Sequence, residues 1–368
     1  MLKKPLDRLH RRWKLILKDA DEDYTVLDEP PPAFAAALQD VTASITEHLA
    51  ANPAGVDTGI LKFYFNTLQF KRLLDTHGTH SMFDVTRLDK SGAWPRGAES
   101  SICIRNVVPA SFLKPRFAGT HATVLFSATL TPSTFYTDTL GLPEDTAWID
   151  VKAPFRAEQL TVRIVSDVST RFRHRNSSLA PISRIIAGQF GAASGNYIAF
   201  FSSFDYLEQV LNEFSRSHPA VPVWPQGRRM DNEGREAFLN NFQVDGQGIG
   251  FAVLGGAFAE GIDLVGTRLI GAFIATLGLP QFNPVNEEMR RRLAGAFGAG
   301  YDYTYLFPGI RKVVQAAGRV IRTTTDSGTV HLIDDRFSRP EVLRLLPDWW
   351  RIDGEQQRAP MSARLTSA

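Results

Sequence analysis

Arg319 and Arg322 follow Gln315 at steps of four and three residues in the stretch QAAGRVIR, 315–322. A guanidinium bonds phosphate oxygens bidentately and stabilises charge developing on them, so two arginines on one rigid element suit a triphosphate. On a helix opening near Pro308, that spacing puts all three side chains on one face, with Val313, Val314, Ala317 and Val320 or Ile321 turned to the core. Phe307–Pro308 reads as the start signal of that helix. A second stretch, GGAFAEGIDLVG (255–266), has glycines that let backbone N–H groups approach a ligand. Within it Glu260 and Asp263 offer acceptors for ribose, water or a cationic side chain. A third stretch, SATLTP (127–132), places two small hydroxyl residues, Ser127 and Thr129, at the end of an apolar run.

These stretches need strands to hold them. HATVLFSAT (121–129), NYIAFF (196–201), IGFAVL (249–254), RLIGAFIA (268–275) and TVHLID (329–334) are continuous apolar runs, the pattern of strands buried on both faces of a parallel sheet. VPVW (221–224) is a further short strand. A helix with Leu207, Val210, Leu211 and Phe214 on one side follows 196–201, and another lies around 235–242. Such alternation predicts a parallel, doubly wound α/β domain from about residue 150 onward. Open sheets of this kind bind ligands at the carboxyl ends of their strands, where the stretches above fall. Ahead of that domain, MFDVTRL (82–88) and SICIRNVV (101–108) read as strands. The first 77 residues read as three helices, with apolar stripes at Leu6, Leu9, Trp13 and Ile16, then Phe34, Leu38, Val41, Ile45 and Leu49, then about 60–75. The expected division is therefore 1–77, 78–148 and 149–368.

Composition narrows the function classes. With 41 Lys+Arg against 39 Asp+Glu, the chain is not polybasic, so any nucleic-acid contact must be local. No apolar run approaches the roughly 18–20 residues of a membrane span, which leaves no membrane role. MLKKPLDRLHRRWKL lacks the apolar core of a secretory signal, so a cytoplasmic protein is expected. One cysteine, Cys103, excludes an internal disulfide framework and an iron–sulfur cluster held by this chain alone. The eight histidines show no metal-ligand spacing, so no metal site is expected within the chain.

Taken singly the chemical stretches are common; their order is what discriminates. SATL (127–130), FFSSFDYLEQV (200–210), EGIDLVG (260–266) and QAAGRVIR (315–322) resemble motifs III, IV, V and VI of the DinG/XPD-like branch of superfamily 2 helicases. The following DSG…LIDDRF (326–337) also matches. DYTVLDEPPPAF near the start is similar to the later part of that family's arch insertion. The resemblance implies a helical arch-like segment, the tail of a first RecA-like motor domain, and a whole second RecA-like motor domain. It also implies ATP with Mg²⁺, single-stranded DNA as partner, and 5′ to 3′ translocation. Arg319 and Arg322 would reach the ATP γ-phosphate across the interdomain cleft, supported by Gln315 and Gly318. Glu260, Gly261 and Asp263 would link nucleotide state to the DNA track. Ser127 and Thr129 would couple the first domain to it, and Ser202 and Ser203 would sit near the phosphates of the strand.

The departures matter as much. ATP chemistry needs a Gly-rich loop with its Lys and an acidic strand end for Mg²⁺. The dipeptide Gly-Lys does not occur in the chain, and the family's four-cysteine iron–sulfur domain has no counterpart here. The chain therefore reads as a C-terminal portion that needs the missing N-terminal helicase half as partner and is inactive in hydrolysis alone. That reading predicts a poorly covered sheet edge and exposed apolar surface near the N-terminal third. The rival is a binding module that holds single-stranded nucleic acid or a helicase partner without turnover. A nicotinamide oxidoreductase, suggested by the glycines at 255–261, lacks a G-x-G-x-x-G opening a helix and a ribose-binding acid about 20 residues on.

Overall fold

In the computed structural model, residues 2–20, 22–52, 57–87, 100–259, 261 and 263–353 are described. They form two compact units. The first comprises Met1–Val124, Tyr136–Thr146 and Asn283–Phe297; the second comprises Leu125–Phe135, Ala147–Phe282 and Gly298–Ala368.

The first unit holds helices α1 (Lys3–Asp19), α2 (Pro32–Ala51) and α3 (Thr58–Asp75) and strands β1 (Tyr24–Leu27), β2 (Ser81–Arg87) and β3 (Ser100–Asn106). The strands make an antiparallel sheet in the order β1-β2-β3. Its core joins Leu9 and Ile16 of α1 and Phe34, Leu38, Val41 and Ile45 of α2 to Phe83, Val85 and Ile102 of the sheet. The stripes of α1 and α2 read from the sequence thus face the core, except Leu6, which is exposed. β1 was not anticipated: four residues after a charged run carry no alternation to mark them. Because β1 pairs with β2, the sheet spans the boundary placed at 77/78 by sequence. Helices α4 (Ala110–Ala118) and α5 (Ser133–Leu140) follow.

The second unit is a seven-stranded, wholly parallel sheet. Its strands are β4 (Leu160–Val165), β5 (Asn196–Phe201), β6 (Val223–Pro225), β7 (Gly248–Val253), β8 (Gly271–Ala275), β9 (Gly328–Ile333) and β10 (Arg351–Ile352), in the order β10-β4-β9-β8-β5-β7-β6. Every residue of β5 and β8 is buried, as their unbroken apolar runs require. The helices are α6 (Arg175–Ala192), α7 (Phe204–Ser217), α8 (Asn232–Leu239), α9 (Pro284–Phe297, in the first unit), α10 (Phe307–Ala317) and α11 (Pro340–Leu343). Tyr206, Leu207, Val210 and Phe214 are the buried stripe of α7. Between α6 and the sheet, the buried His331 ring shares Gln189 Oε1 (3.0 Å) with Arg163 Nη1 (3.1 Å). Burial, with the nearby Arg163 charge, lowers its pKa to about 4.

Three expectations are corrected. Residues 121–129 form no strand: they take part in no sheet ladder among the described residues, and Val124 and Phe126 are 80% and 89% exposed. An apolar run becomes a parallel strand only when ladder neighbours take its N–H and C=O groups. Exposed apolar side chains expected there are present, and Ile149 and Val151, further along the chain, are exposed as well. Next, although Pro308 lies in the first turn of α10 as expected, no break precedes it: a π-helical turn, Asp302–Leu306, runs directly into the helix. Wider hydrogen-bonding rings there accommodate a proline that has no N–H to give. Finally, α10 ends at Ala317, so Arg319 and Arg322 lie in the turn beyond it, not on a helical face.

None of the helices among the described residues is long and apolar enough to cross a membrane.

Candidate active site

The loop after β7 and the turn after α10 meet at the carboxyl end of the parallel sheet. Leu254 N–H donates to Phe201 O (2.8 Å), and Phe201 pairs with Val253, so the chain leaves β5 and β7 side by side. Gly255, Gly261 and Gly266 all take positive φ, at +79°, +77° and +66°, which turns the 255–266 loop repeatedly over the sheet edge. A close approach seats the helix beneath it. A Cβ on Gly278, in the loop after β8, would fall 2.6 Å from Gly309 O of α10, so only glycine lets that loop touch the helix.

Past Ala317 the chain turns at Gly318, whose N–H bonds back to Val314 O (2.9 Å). Val320 and Ile321 then plunge into the core, at 1% and 3% exposure, which forces Arg319 and Arg322 to the outside. Both arginines converge on the 255–266 loop. Arg319 Nε donates to Ala259 O (3.3 Å), and Arg322 Nε donates to Asp263 Oδ1 (2.6 Å). Gly261 therefore lies between the two positions, Ala259 and Asp263, that the guanidinium groups hold. Glu260 lies outside the described residues. The two arginines do share a site, but through a turn and a loop instead of a helix.

Asp326 locks this arrangement, and sequence reading did not single it out. Its carboxylate accepts from Arg322 N–H (2.7 Å), Thr323 N–H (2.8 Å) and Thr323 Oγ1 (2.7 Å). Burial pushes its pKa up, but these donors and the Gly266 N–H outweigh burial and hold it below the usual carboxylate value. One acid thus ties the end of the 255–266 loop to the backbone of Arg322. Gln159, just before β4, adds a bond from Nε2 to Asp326 O (2.7 Å). An acid four residues past an arginine looks like any loop residue, which is why it was missed. Lys312 was missed too; its side chain lies where a Cβ on Gly255 would touch it at 3.3 Å.

The remaining expected residues are placed as follows. Gln315 is half-buried on α10; its Oε1 is buried and bonds no group among the described residues, and no bond joins it to either arginine. Ser203 caps α7 by accepting from Tyr206 N–H (3.3 Å). Ser202 is exposed and its Oγ accepts from Arg175 Nη2 (2.9 Å). Ser127 is exposed and Thr129 half-buried, with Ser127 Oγ accepting from Thr129 N–H (3.2 Å) in a local turn. Their segment is anchored nearby by Phe135, whose ring meets Tyr303 and Phe307 edge-on at 5.1 and 5.8 Å. Trp224 packs on Phe242 in the core. Arg290, Arg291 and Arg292 each pair with Glu287 or Glu288 on α9, which accounts for their charge locally. Among the described residues no cluster of His, Cys, Asp or Glu could hold a metal ion, so these residues do not fit Mg²⁺ on their own.

Residues 187–353 match the family model of the helicase C-terminal domain. The chain is similar to the ATP-dependent helicase DinG of Mycobacterium tuberculosis, 26% identical over 73% of this chain and 42% of that protein. It is also similar to the putative ATP-dependent DNA helicase DDX11-like protein 8 of Homo sapiens, 27% identical over 47% of this chain and 22% of that one. The chain spans less than half the length of these curated relatives. In fold it resembles the solved structure of S. tokodaii Xpd4, at a TM-score of 0.59 and 18% identity over 96% of this chain and 66% of that one. A second structure, an XPD helicase, gives 0.58 and 17% over 94% and 62%.

Proposed function

Because the chain corresponds to the C-terminal part of a DinG/XPD-like helicase, we propose that it is the motor portion that completes an ATP-dependent, 5′ to 3′ DNA helicase acting on single strands. In this reading residues 149–368 are the second RecA-like domain, 1–77 an arch-like segment, and 78–148 the tail of the first motor domain. ATP and Mg²⁺ are held chiefly by a first motor domain bearing the phosphate-binding loop that this sequence lacks. Arg319 and Arg322 reach the γ-phosphate from the opposite side and stabilise charge that develops on it. Gln315 and Gly318 support that turn. Glu260, Gly261 and Asp263 pass nucleotide state to the strand, which Ser127, Thr129, Ser202 and Ser203 contact through hydroxyl and backbone groups without reading sequence.

The observation that carries this reading is the convergence of both arginines on the 255–266 loop, at Ala259 O and Asp263 Oδ1. Asp263 is 63% exposed, so its bond to Arg322 lies in solvent and can be exchanged for phosphate oxygens when nucleotide arrives. The test is reconstitution. Joining the chain to a first motor domain with a phosphate-binding loop should yield ATP hydrolysis stimulated by single-stranded DNA, whereas the chain alone should show none. A joined enzyme that binds ATP yet ignores DNA would refute it. The absence of a Gly-Lys dipeptide favours a second reading for the chain acting alone, namely strand binding without turnover. That reading predicts affinity falling steeply with salt.

A further inference from the structure

A helix packed on a sheet ordinarily fills the space between with side chains, yet α6 carries Gly188 where it faces β4. A Cβ there would meet nothing within 4 Å, so no crowding demands glycine. Glycine inside a helix is also less stable than alanine, so the space is kept open against the helix's own preference. What results is a cavity of about 460 Å³ between α6 and β4, within the range of roughly 300–1,000 Å³ typical of small-molecule sites. Ile164, Val165, Ile185 and Ala192 give it apolar walls, while Arg163 reaches it from the strand and Arg184 from the helix.

The floor of this cavity is polar, and its bonds have fixed directions. A guanidinium can only donate, so Gln189 presents Oε1 to Arg163 Nη1 (3.1 Å). Its Nε2 then donates to the Tyr197 hydroxyl (3.2 Å), which donates to Ala193 O (2.6 Å). His331 Nε2, 3.0 Å from the same Oε1, must therefore carry the ring proton. Burial, with Arg163 nearby, keeps that ring neutral at pH 7, which leaves Nδ1 as an acceptor. Among the described residues no donor reaches Nδ1. Arg163 Nε also donates to Asp353 (3.2 Å), which balances its charge. Arg184 is exposed and has no ion pair among the described residues. One cation and one acceptor are thus left over around the cavity.

We propose that this cavity binds a small organic acid, with its carboxylate on Arg184, its apolar body along Gly188 and Ile185, and a hydroxyl or amine donating to His331 Nδ1. A single guanidinium matches a single carboxylate bidentately, whereas a phosphate dianion would leave one charge unmatched. A polar relay under a sheet edge costs desolvation that an apolar floor would avoid, and a ligand that needs the relay accounts for it. The site shares no residue with the 255–266 loop or the turn after α10, so it is independent of the motor reading.

The test uses 4-hydroxybenzoate, titrated into the full chain at pH 7 and followed by calorimetry and by the His331 side-chain NMR signal, identified by its loss in His331→Gln. That signal should move as the acid binds. Losing a charge-assisted bond corresponds to roughly 10- to 150-fold in affinity. Arg184→Gln should therefore weaken binding at least tenfold, and so should replacing the acid by uncharged 4-hydroxybenzamide. Benzoate, which lacks the donor, should bind several-fold more weakly than 4-hydroxybenzoate. Gly188→Leu should abolish binding by filling the cavity, at a melting temperature no lower than the parent's. Parental affinity in Arg184→Gln or Gly188→Leu, an amide that binds as well as the acid, or no binding to the parent chain would each overturn the site.

Discussion

Two stretches of this chain look alike as sequence and differ as structure. IGFAVL followed by GGAFAEGIDLVG, and HATVLF followed by SATLTP, are both apolar runs leading into a small-residue loop. The first becomes β7, flanked by β5 and β6 and buried almost throughout, and its loop is gripped by Arg319, Arg322 and Asp326. The second has no ladder neighbour among the described residues, and Phe126 stands 89% exposed. An apolar run is a conditional statement: it specifies a strand only where adjacent strands accept its hydrogen bonds. Its loop is positioned for chemistry only where other elements grip it in turn.

The sharpest way to break this contrast is to remove the grip. Asp326→Ala leaves the Arg322 and Thr323 N–H groups without their acceptor. Since each such orphan costs about 1–3 kcal/mol when buried and these two are part-buried, equilibrium denaturation of the parallel-sheet unit should show a loss of roughly 2–4 kcal/mol. A loss under about 1 kcal/mol would mean that the turn holds itself.

The parallel sheet should also respond to pH through one buried histidine. His331 is neutral when folded down to about pH 4, against an ordinary value of 6.5. Its contribution is therefore complete above pH 6.5 and is lost as pH falls from 6.5 to 4, where only the unfolded chain takes the proton. The shift corresponds to about 3 kcal/mol at most. His331→Gln should flatten the stability profile across that window; an unchanged profile would assign the titration elsewhere.

A smaller effect separates backbone need from side-chain need. Gly261 has φ +77° with open space around its missing Cβ, so Gly261→Ala should cost only the left-handed strain, about 1–2 kcal/mol, felt in the loop. Loss of the whole fold in that variant would contradict it. Smallest of all, Ser127→Ala and Phe126→Ser should change stability by no more than about 0.5 kcal/mol, because neither side chain is packed. A larger change in a melting experiment would show that the 121–129 segment is held by contacts its exposure does not reveal.

These differences also mark how far the sequence can be read. β5, β7, β8 and β9 were legible because strands buried on both faces must be apolar without interruption, and the α1, α2 and α7 stripes because one-sided burial imposes a 3.6-residue period. β1 and β10 were not, since short edge strands carry mixed residues and depend on their neighbours, and neither was β4, which is only partly buried beside the two-residue β10. The arginine pair was found by type and spacing, yet its geometry was misread. Gly318 ends α10 one turn earlier than the periodicity of Val313, Ala317, Val320 and Ile321 suggests, because a turn can bury the last two as well as a helix can. Asp326 was quoted only as the first residue of a matching stretch and its role went unread, since a carboxylate that serves backbone N–H groups leaves no pattern among side chains.

The most direct measurement concerns the arginines themselves. In an enzyme joining this chain to a first motor domain, ATP affinity and DNA-stimulated hydrolysis should be compared for the parent, Arg319→Ala and Arg322→Ala. Each variant should bind ATP within a few-fold of the parent while hydrolysis falls by about 10³-fold or more, the scale of an arginine that stabilises only the transition state. Hydrolysis at the parental rate in either variant would contradict the assignment of that arginine to the γ-phosphate.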